Sequence, residues 1–197
     1  MAKERLVWAI DCDDVLVPTA EVILEAYNDR YGVSIGPEAF YDSNNDWGAA
    51  SHEEAVLRVD ALLREGIMAN TAPNSETIEA LARRAESDEL HLVTGRQSYL
   101  EDTTHDMLDR YFPDFFTTVE HTNYFAPVNG KIRPRSKGEV CKQIGADVLL
   151  DDHLVHGQSV LEAGVKEVIV WGNYPWNRTE ELSRGMVRCV TWNEVFL

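Results

Sequence analysis

Short apolar runs that stop abruptly at polar residues alternate along this chain with stretches whose apolar positions recur every three to four residues. The runs near 5–11, 90–94, 147–151 and 167–171 have the length and continuity of strands buried on both faces, and a further strand is expected near 116–120. Between them the period changes. Residues 20–31 gather Val22, Ile23, Ala26 and Tyr27 on one helical face, residues 52–65 gather Ala55, Val56, Val59, Leu62 and Leu63, and residues 75–85 gather Ile78, Leu81 and Ala82. A further helix through Val140 to Ile144 is announced by Ser136 and Glu139, whose spacing is that of a capping box. Strands alternating with helices predict an α/β fold, a Rossmann-like doubly wound parallel sheet.

The spacing is uneven. The gap between the first two strands is far too long for one crossover, and only the helix at 75–85 is needed to return the chain to the sheet. The pattern therefore predicts a small helical insertion after the first strand, within residues 18–88. A chain of 197 residues suits that arrangement.

Chemistry collects where the strands end, which is where open α/β sheets bind ligands. The first run, Leu6 to Ile10, empties into Asp11-Cys12-Asp13-Asp14. Alternation along an extended backbone sends Asp11 and Asp13 to one side and Cys12 to the other. Two carboxylates in one small volume raise each other's pKa unless a cation neutralises them, and oxygen-rich sites suit Mg²⁺. Solvated turn acids are the other reading of such a pair. The second run ends in Thr94-Gly95-Arg96, a hydroxyl and closely approachable backbone N–H groups that can hold phosphate oxygens, or an ordinary strand-to-turn signal. Ser136-Lys137-Gly138-Glu139 puts a lysine in the first turn of a helix. The helix dipole disfavours a cation there, which points to an anion sharing the site. A fourth run ends in the acid pair Asp151-Asp152.

In this order, the four segments resemble the four motifs of the haloacid dehalogenase superfamily. The resemblance implies that Asp11 is a nucleophile that becomes a transient aspartyl phosphate, and that Asp13 is the acid and base that protonates the leaving oxygen and then activates water. Thr94, the Gly95 N–H, Arg96 and Lys137 would face the phosphoryl oxygens. Asp11, the main-chain carbonyl of Asp13 and Asp152 would hold Mg²⁺, with Asp151 steadying Lys137 or a metal-bound water. An aspartate at position 13 is the mark of phosphatases and phosphomutases in the superfamily, so dehalogenation is disfavoured. Asp14 is a departure, because many relatives have glycine there.

The same resemblance makes residues 19–74 a helical cap that closes over the phosphate site and carries specificity. Within it, Phe40 to Gly48 is an irregular loop whose Tyr41 and Trp47 could stack on a nucleobase; packing of Phe40, Tyr41 and Trp47 between the cap helices is the alternative. After the fifth strand, Pro175-Trp176-Asn177 resembles the 5′(3′)-deoxyribonucleotidase family, as does the Asp151-Asp152 ending. Trp171, Tyr174 and Trp176 are equally well explained as a cover for the sheet edge. His153 and His156 read as a helix-entry pair, and no zinc site is assigned.

A net charge of −16 argues against a polynucleotide partner, whose phosphates would be repelled. A small phosphorylated metabolite such as a nucleoside monophosphate can still bind, since Mg²⁺, Lys137 and Arg96 make the site locally positive. No apolar stretch approaches the ~20 residues that cross a bilayer, so no membrane partner is expected. The start shows no signal peptide, and Cys12, Cys141 and Cys189 lack metal or redox spacing and fit free thiols in a reducing cytoplasm. The expectation is a cytoplasmic Mg²⁺-dependent phosphatase of a small phosphomonoester. A sugar or small-acid phosphatase and a catalytically silent phospho-ligand binder are the alternatives, and the oligomeric state is open.

Overall fold

A computed structural model describes residues 5–124, 133–178 and 181–196. The strands are β1 (Val7–Ile10), β2 (Glu89–Thr94), β3 (Phe116–His121), β4 (Val148–Asp151), β5 (Glu167–Trp171) and β6 (Met186–Cys189). They form one sheet in the order β3-β2-β1-β4-β5-β6, every neighbouring pair parallel. From β1 the chain winds outward to β3, returns to β4 on the other side of β1 and winds out again. The order thus reverses between β1 and β4, and the crevice at their carboxyl ends is the switch point where such sheets take ligands.

The α-helices are α1 (Thr19–Tyr31), α2 (His52–Arg64), α3 (Ser75–Ala85), α4 (Glu101–Tyr111), α5 (Lys137–Ile144), α6 (Leu154–Glu162) and α7 (Trp192–Val195), with short 3-10 turns at Pro37–Ala39 and Ser98–Leu100. The alternation that made the strands legible divides the core in two. Trp8, Ile10, Leu90, Leu92, Val148, Leu150, Ile169 and Trp171 face one apolar layer with residues of α3, α4 and α7. Ala9, Val93, Leu149, Val168 and Val170 face the other, against Val140 and Cys141 of α5 and Val160 of α6. A third apolar cluster lies apart from the sheet: Ile23, Leu24 and Tyr27 of α1 close on Ala55 and Leu62 of α2 around Trp47.

The predicted helices at 20–31, 52–65 and 75–85 match α1, α2 and α3 to within one residue. β6 and α7 were not anticipated. Met186-Val-Arg-Cys189 is short, lies at a sheet edge and is buried only at its two ends, so it lacks a continuous apolar run. Among the described residues no helix is long and apolar enough to cross a membrane.

The sheet is fastened at its other end by Asp88, 2% exposed, which accepts from the Leu6 N–H (3.2 Å), the Trp8 indole Nε1 (3.0 Å) and Arg84 Nη1 (2.7 Å). Burial opposes its ionisation, but Arg84 and the two N–H donors outweigh it and hold the carboxyl below its usual range. The stabilisation is therefore complete above the unfolded carboxylate pKa and lost as the pH falls through the lowered folded value. Asp88→Ala, which strands the Arg84 and Trp8 donors, is expected to cost about 3 kcal/mol in urea unfolding at pH 7. The gap between variant and parent should narrow as the pH falls through that lowered value; a gap that does not change with pH would contradict this account.

Candidate active site

β1 and β4 deliver their acids side by side. The Asp11 N–H donates to the Leu150 carbonyl at 2.9 Å, and Asp11 and Asp151 share the parity of Ala9 and Leu149, so both face α5. Lys137 opens that helix. The predicted capping box is present, with Ser136 Oγ accepting from the Glu139 N–H at 3.0 Å and Glu139 Oε2 accepting from the Ser136 N–H at 2.8 Å. At Gly138 an added Cβ would lie 2.4 Å from the Ser159 carbonyl oxygen, so only glycine lets α5 approach α6 this closely. The result is a lysine 1% exposed, its Nζ 2.7 Å from both Asp11 Oδ1 and Asp151 Oδ2. The two carboxylates raise its pKa against the opposing effect of burial, keeping it charged.

One lysine does not balance this crevice. Asp11, Asp151 and Asp152 are all buried and offer oxygens within 4.8 Å of one another. Burial, and after it repulsion by Asp151 and Asp13 against the pull of Lys137, pushes Asp11 up to about 7. Burial and repulsion from Asp151, Asp11 and Asp14 raise Asp152 well above the carboxylate range. Asp11 Oδ1 has Lys137 close by but no hydrogen bond of acceptable geometry among the described residues. A buried, under-bonded carboxylate oxygen among further acids is the donor set of a hard divalent cation. Asp11 and Asp152 fit that role, whereas Asp151 is already engaged by Lys137 Nζ and by the His153 N–H at 2.8 Å.

Asp13 stands apart from this cluster. Its carboxylate accepts from Arg96 Nε at 3.0 and 3.2 Å, from Arg96 Nη2 at 2.8 Å and from the Thr19 hydroxyl. Burial works against ionisation, yet Arg96 prevails and the pKa is lowered. Arg96, expected beside phosphate, is buried and committed instead: its remaining Nη1 donates to Thr104 Oγ1 at 3.0 Å. Thr94 is fully buried at the end of β2, its Oγ1 accepting from the Arg96 N–H at 3.2 Å. The Asp14 departure has a structural reason. Its φ is +57°, a left-handed backbone in which glycine is common and aspartate tolerated. Its side chain accepts from the Ala20 N–H at 3.0 Å and supplies α1 with the capping acceptor that Pro18 cannot.

The two aromatic candidates separate. Trp47 is 5% exposed, packs edge-on against Tyr27 at 5.1 Å and donates its Nε1 to the Ala39 carbonyl at 3.0 Å, which is the packing alternative. Tyr41 instead meets His153 at 4.9 Å and Trp176 at 5.3 Å, at the rim of the acids. The reading of Tyr174 and Trp176 as an edge cover misses what they do. Trp176 Nε1 donates to Asp152 Oδ2 at 2.6 Å, the Tyr174 hydroxyl donates to the Asp14 carbonyl at 2.8 Å, and Asn177 Nδ2 donates to the Asp152 carbonyl at 2.8 Å. Trp171 does pack in the core, on Trp192 at 4.5 Å. His153 begins α6 and His156, pushed down to about 4 by burial, lies 4.6 Å from the Tyr124 ring.

Burial, partly offset by the Ala20 N–H, pushes Asp14 up to about 7, so its ionised form costs the fold stability as the pH rises from the unfolded carboxylate value to about 7. Buried histidines such as His156 give the opposite slope, so the difference between two proteins is the informative quantity. In chelator, Asp14→Asn keeps an oxygen for Ala20 and should equal the parent near pH 4 but melt higher at pH 8. A pH-independent difference would contradict the assignment.

No family model matches the chain, and no curated protein matches it. Solved structures do. A haloacid dehalogenase-like family hydrolase from Streptococcus pneumoniae superposes with a TM-score of 0.67 at 12% identity, covering 98% of this chain and 97% of the other. A HAD family hydrolase from Deinococcus radiodurans R1, with bound phosphate and sodium, gives 0.64 at 17% identity over 99% and 94%. A HAD-superfamily hydrolase of subfamily IA from Geobacter sulfurreducens gives 0.61 at 19% identity over 98% of each chain. This chain has the fold of the haloacid dehalogenase-like hydrolases.

Proposed function

We propose that the chain is a Mg²⁺-dependent phosphatase that hydrolyses a small phosphomonoester through an aspartyl phosphate on Asp11. The observation that carries this reading is the buried Lys137 ammonium 2.7 Å from Asp11 Oδ1, beside a buried acid cluster in which no second lysine or arginine is paired among the described residues. The Deinococcus relative, of the same fold, binds phosphate, which supports a phosphorylated substrate.

An Asp11 oxygen attacks phosphorus, the bond to the leaving oxygen breaks, and that oxygen takes a proton from Asp13. Water then attacks the phosphoenzyme, gives its proton to Asp13, and frees phosphate and the Asp11 carboxylate. Arg96 keeps Asp13 ionised in the free protein, the form needed to activate water. The incoming phosphate dianion raises the proton affinity of Asp13 by like-charge repulsion, which supplies the acid form for the first half. Thr94, the Gly95 N–H and Lys137 hold the equatorial oxygens. Arg96 serves the phosphate indirectly, by orienting Asp13. Asp11, the Asp13 carbonyl and Asp152 would hold Mg²⁺, which when bound offsets the charge of the transferring phosphoryl group. Asp151 steadies Lys137.

Residues 19–74 serve as the cap over a core of 1–18 and 75–197, supported by the separate apolar cluster that α1 and α2 share. Tyr41, rather than Trp47, is the cap ring that meets the leaving group. With Tyr174 and Trp176 it forms an aromatic rim that favours a planar group, as in a nucleoside monophosphate, over a sugar or small-acid phosphate. The buried free thiols support a reducing compartment such as the cytoplasm.

The test is phosphate release from a panel of nucleoside, sugar and small-acid monophosphates, with Mg²⁺ and with chelator. Metal-dependent release, highest for nucleoside monophosphates, is expected, with kcat lowered at least ~10³-fold in Asp11→Asn. Release that survives that substitution, or silence of the folded protein across the panel, would overturn the reading.

A further inference from the structure

Asp152 is held differently from its neighbour. Asp151 has a charged partner, Lys137, and a backbone donor. The Asp152 carboxylate, 3% exposed as a residue, accepts one hydrogen bond among the described residues, from the indole Nε1 of Trp176 at 2.6 Å. The difference has a physical consequence. An ammonium neutralises a carboxylate and competes with a metal ion for it. An indole N–H fixes the direction of the carboxylate and leaves its charge available. Tryptophan is also a donor only, so it cannot turn round and compete as a ligand.

Trp176 is itself immobilised from several sides. Its ring stacks on Tyr174 at 4.7 Å with an interplanar angle of 4°, and the Tyr174 hydroxyl is tied to the Asp14 carbonyl in the loop that follows Asp11. Asn177 fastens the same turn, donating to the carbonyls of both Asp152 and Trp171 at 2.8 Å. On its remaining side the indole meets Phe40 at 5.6 Å and Tyr41 at 5.3 Å, from the insertion between β1 and β2. A tryptophan that only covered a sheet edge would have no need to direct its N–H at a buried acid.

Building on the proposed function, we infer that Trp176 is a positioning residue for the divalent cation: its indole N–H sets the orientation of Asp152, and its ring ties that orientation to the Phe40-Tyr41 segment. Metal residency and the docking of that segment then share one side chain. By linkage, whatever seats Phe40 and Tyr41 tightens the cation, and the cation in turn seats them. Outer partners of this kind typically change metal affinity 10–100-fold when lost.

The test is Mg²⁺ binding by calorimetry on the full chain, with Asp152→Asn as the control that removes the ligand. Trp176→Phe keeps an aromatic ring and removes the N–H together with one ring of the indole. It should weaken Mg²⁺ at least ~10-fold while its melting temperature in chelator stays within a few degrees of the parent. Unchanged affinity in Trp176→Phe, with affinity lost in Asp152→Asn, would overturn this inference and leave the phosphatase reading standing. A parent protein that takes up no Mg²⁺ would overturn both. Should Trp176→Phe not fold, the parent answers alone through its indole ¹⁵N–¹H resonances. One of them is expected to shift on Mg²⁺ addition, while those of Trp8 and Trp192, bonded to Asp88 and Thr77, stay in place. No indole shift at saturating Mg²⁺ would refute the role.

Discussion

The rest of the site is arranged around one interaction, the Lys137 ammonium buried between Asp11 and Asp151. A lysine without solvent at the positive end of a helix is doubly unfavourable, so it persists only where anions surround it. That requirement explains the local chain. The capping box fixes the first turn of α5, Gly138 lets that turn press on α6, and strand parity turns both acids toward it. The same ion pair is incomplete as a charge balance, since Asp14 and Asp152 are buried nearby and Arg96 is committed to Asp13. The crevice is therefore stable in this form only with acids partly protonated or with a cation bound. A phosphoryl-transfer site has this electrostatic character: it is built for charge that arrives with its ligands.

Asp13 and Asp11, two residues apart, occupy opposite electrostatic situations. Burial keeps Asp11 high, at about 7, while Arg96 keeps Asp13 low. Two acids separated in this way can divide labour, and Thr19, the first residue of α1, adds a hydroxyl to Asp13. The aromatic residues bring a second connection between insertion and core, from Tyr41 to Trp176. A third is polar: the Tyr99 hydroxyl, in the turn after Arg96, donates to Asp60 of α2 at 2.6 Å while Arg64 lies over its ring at 3.8 Å.

Much of this was legible in the chain before any coordinates. Continuous apolar runs mark the four strands inside the sheet, β1, β2, β4 and β5, because both of its faces are covered, and three helices follow from their periodicity. The edge strand Met186–Cys189 escaped because an edge does not require a continuous apolar run. At the site, residues whose chemistry is set by their position on a strand end or helix start, such as Asp11, Lys137 and Asp151, were recognisable from local sequence. Residues whose role depends on distant partners were not. Arg96 looked like a phosphate ligand because nothing local reveals Asp13 and Thr104 waiting for its guanidinium. Trp176 reads equally well as an edge cover because its partner, Asp152, lies 24 residues away in sequence. Trp47 and Tyr41, in one loop, were indistinguishable until the fold turned one inward and the other toward the acids.

The central claim is that Asp11 is the nucleophile that accepts the phosphoryl group, and the most direct measurement is its covalent state during turnover. The protein would be mixed with a hydrolysed phosphomonoester, quenched in acid within milliseconds, reduced with borohydride and mapped by mass spectrometry. The account predicts that the peptide containing Asp11 carries the modification left by reduction of an acyl phosphate, and that no other carboxylate does. Phosphate release with Asp11 unmodified, or modification confined to another residue, would contradict it.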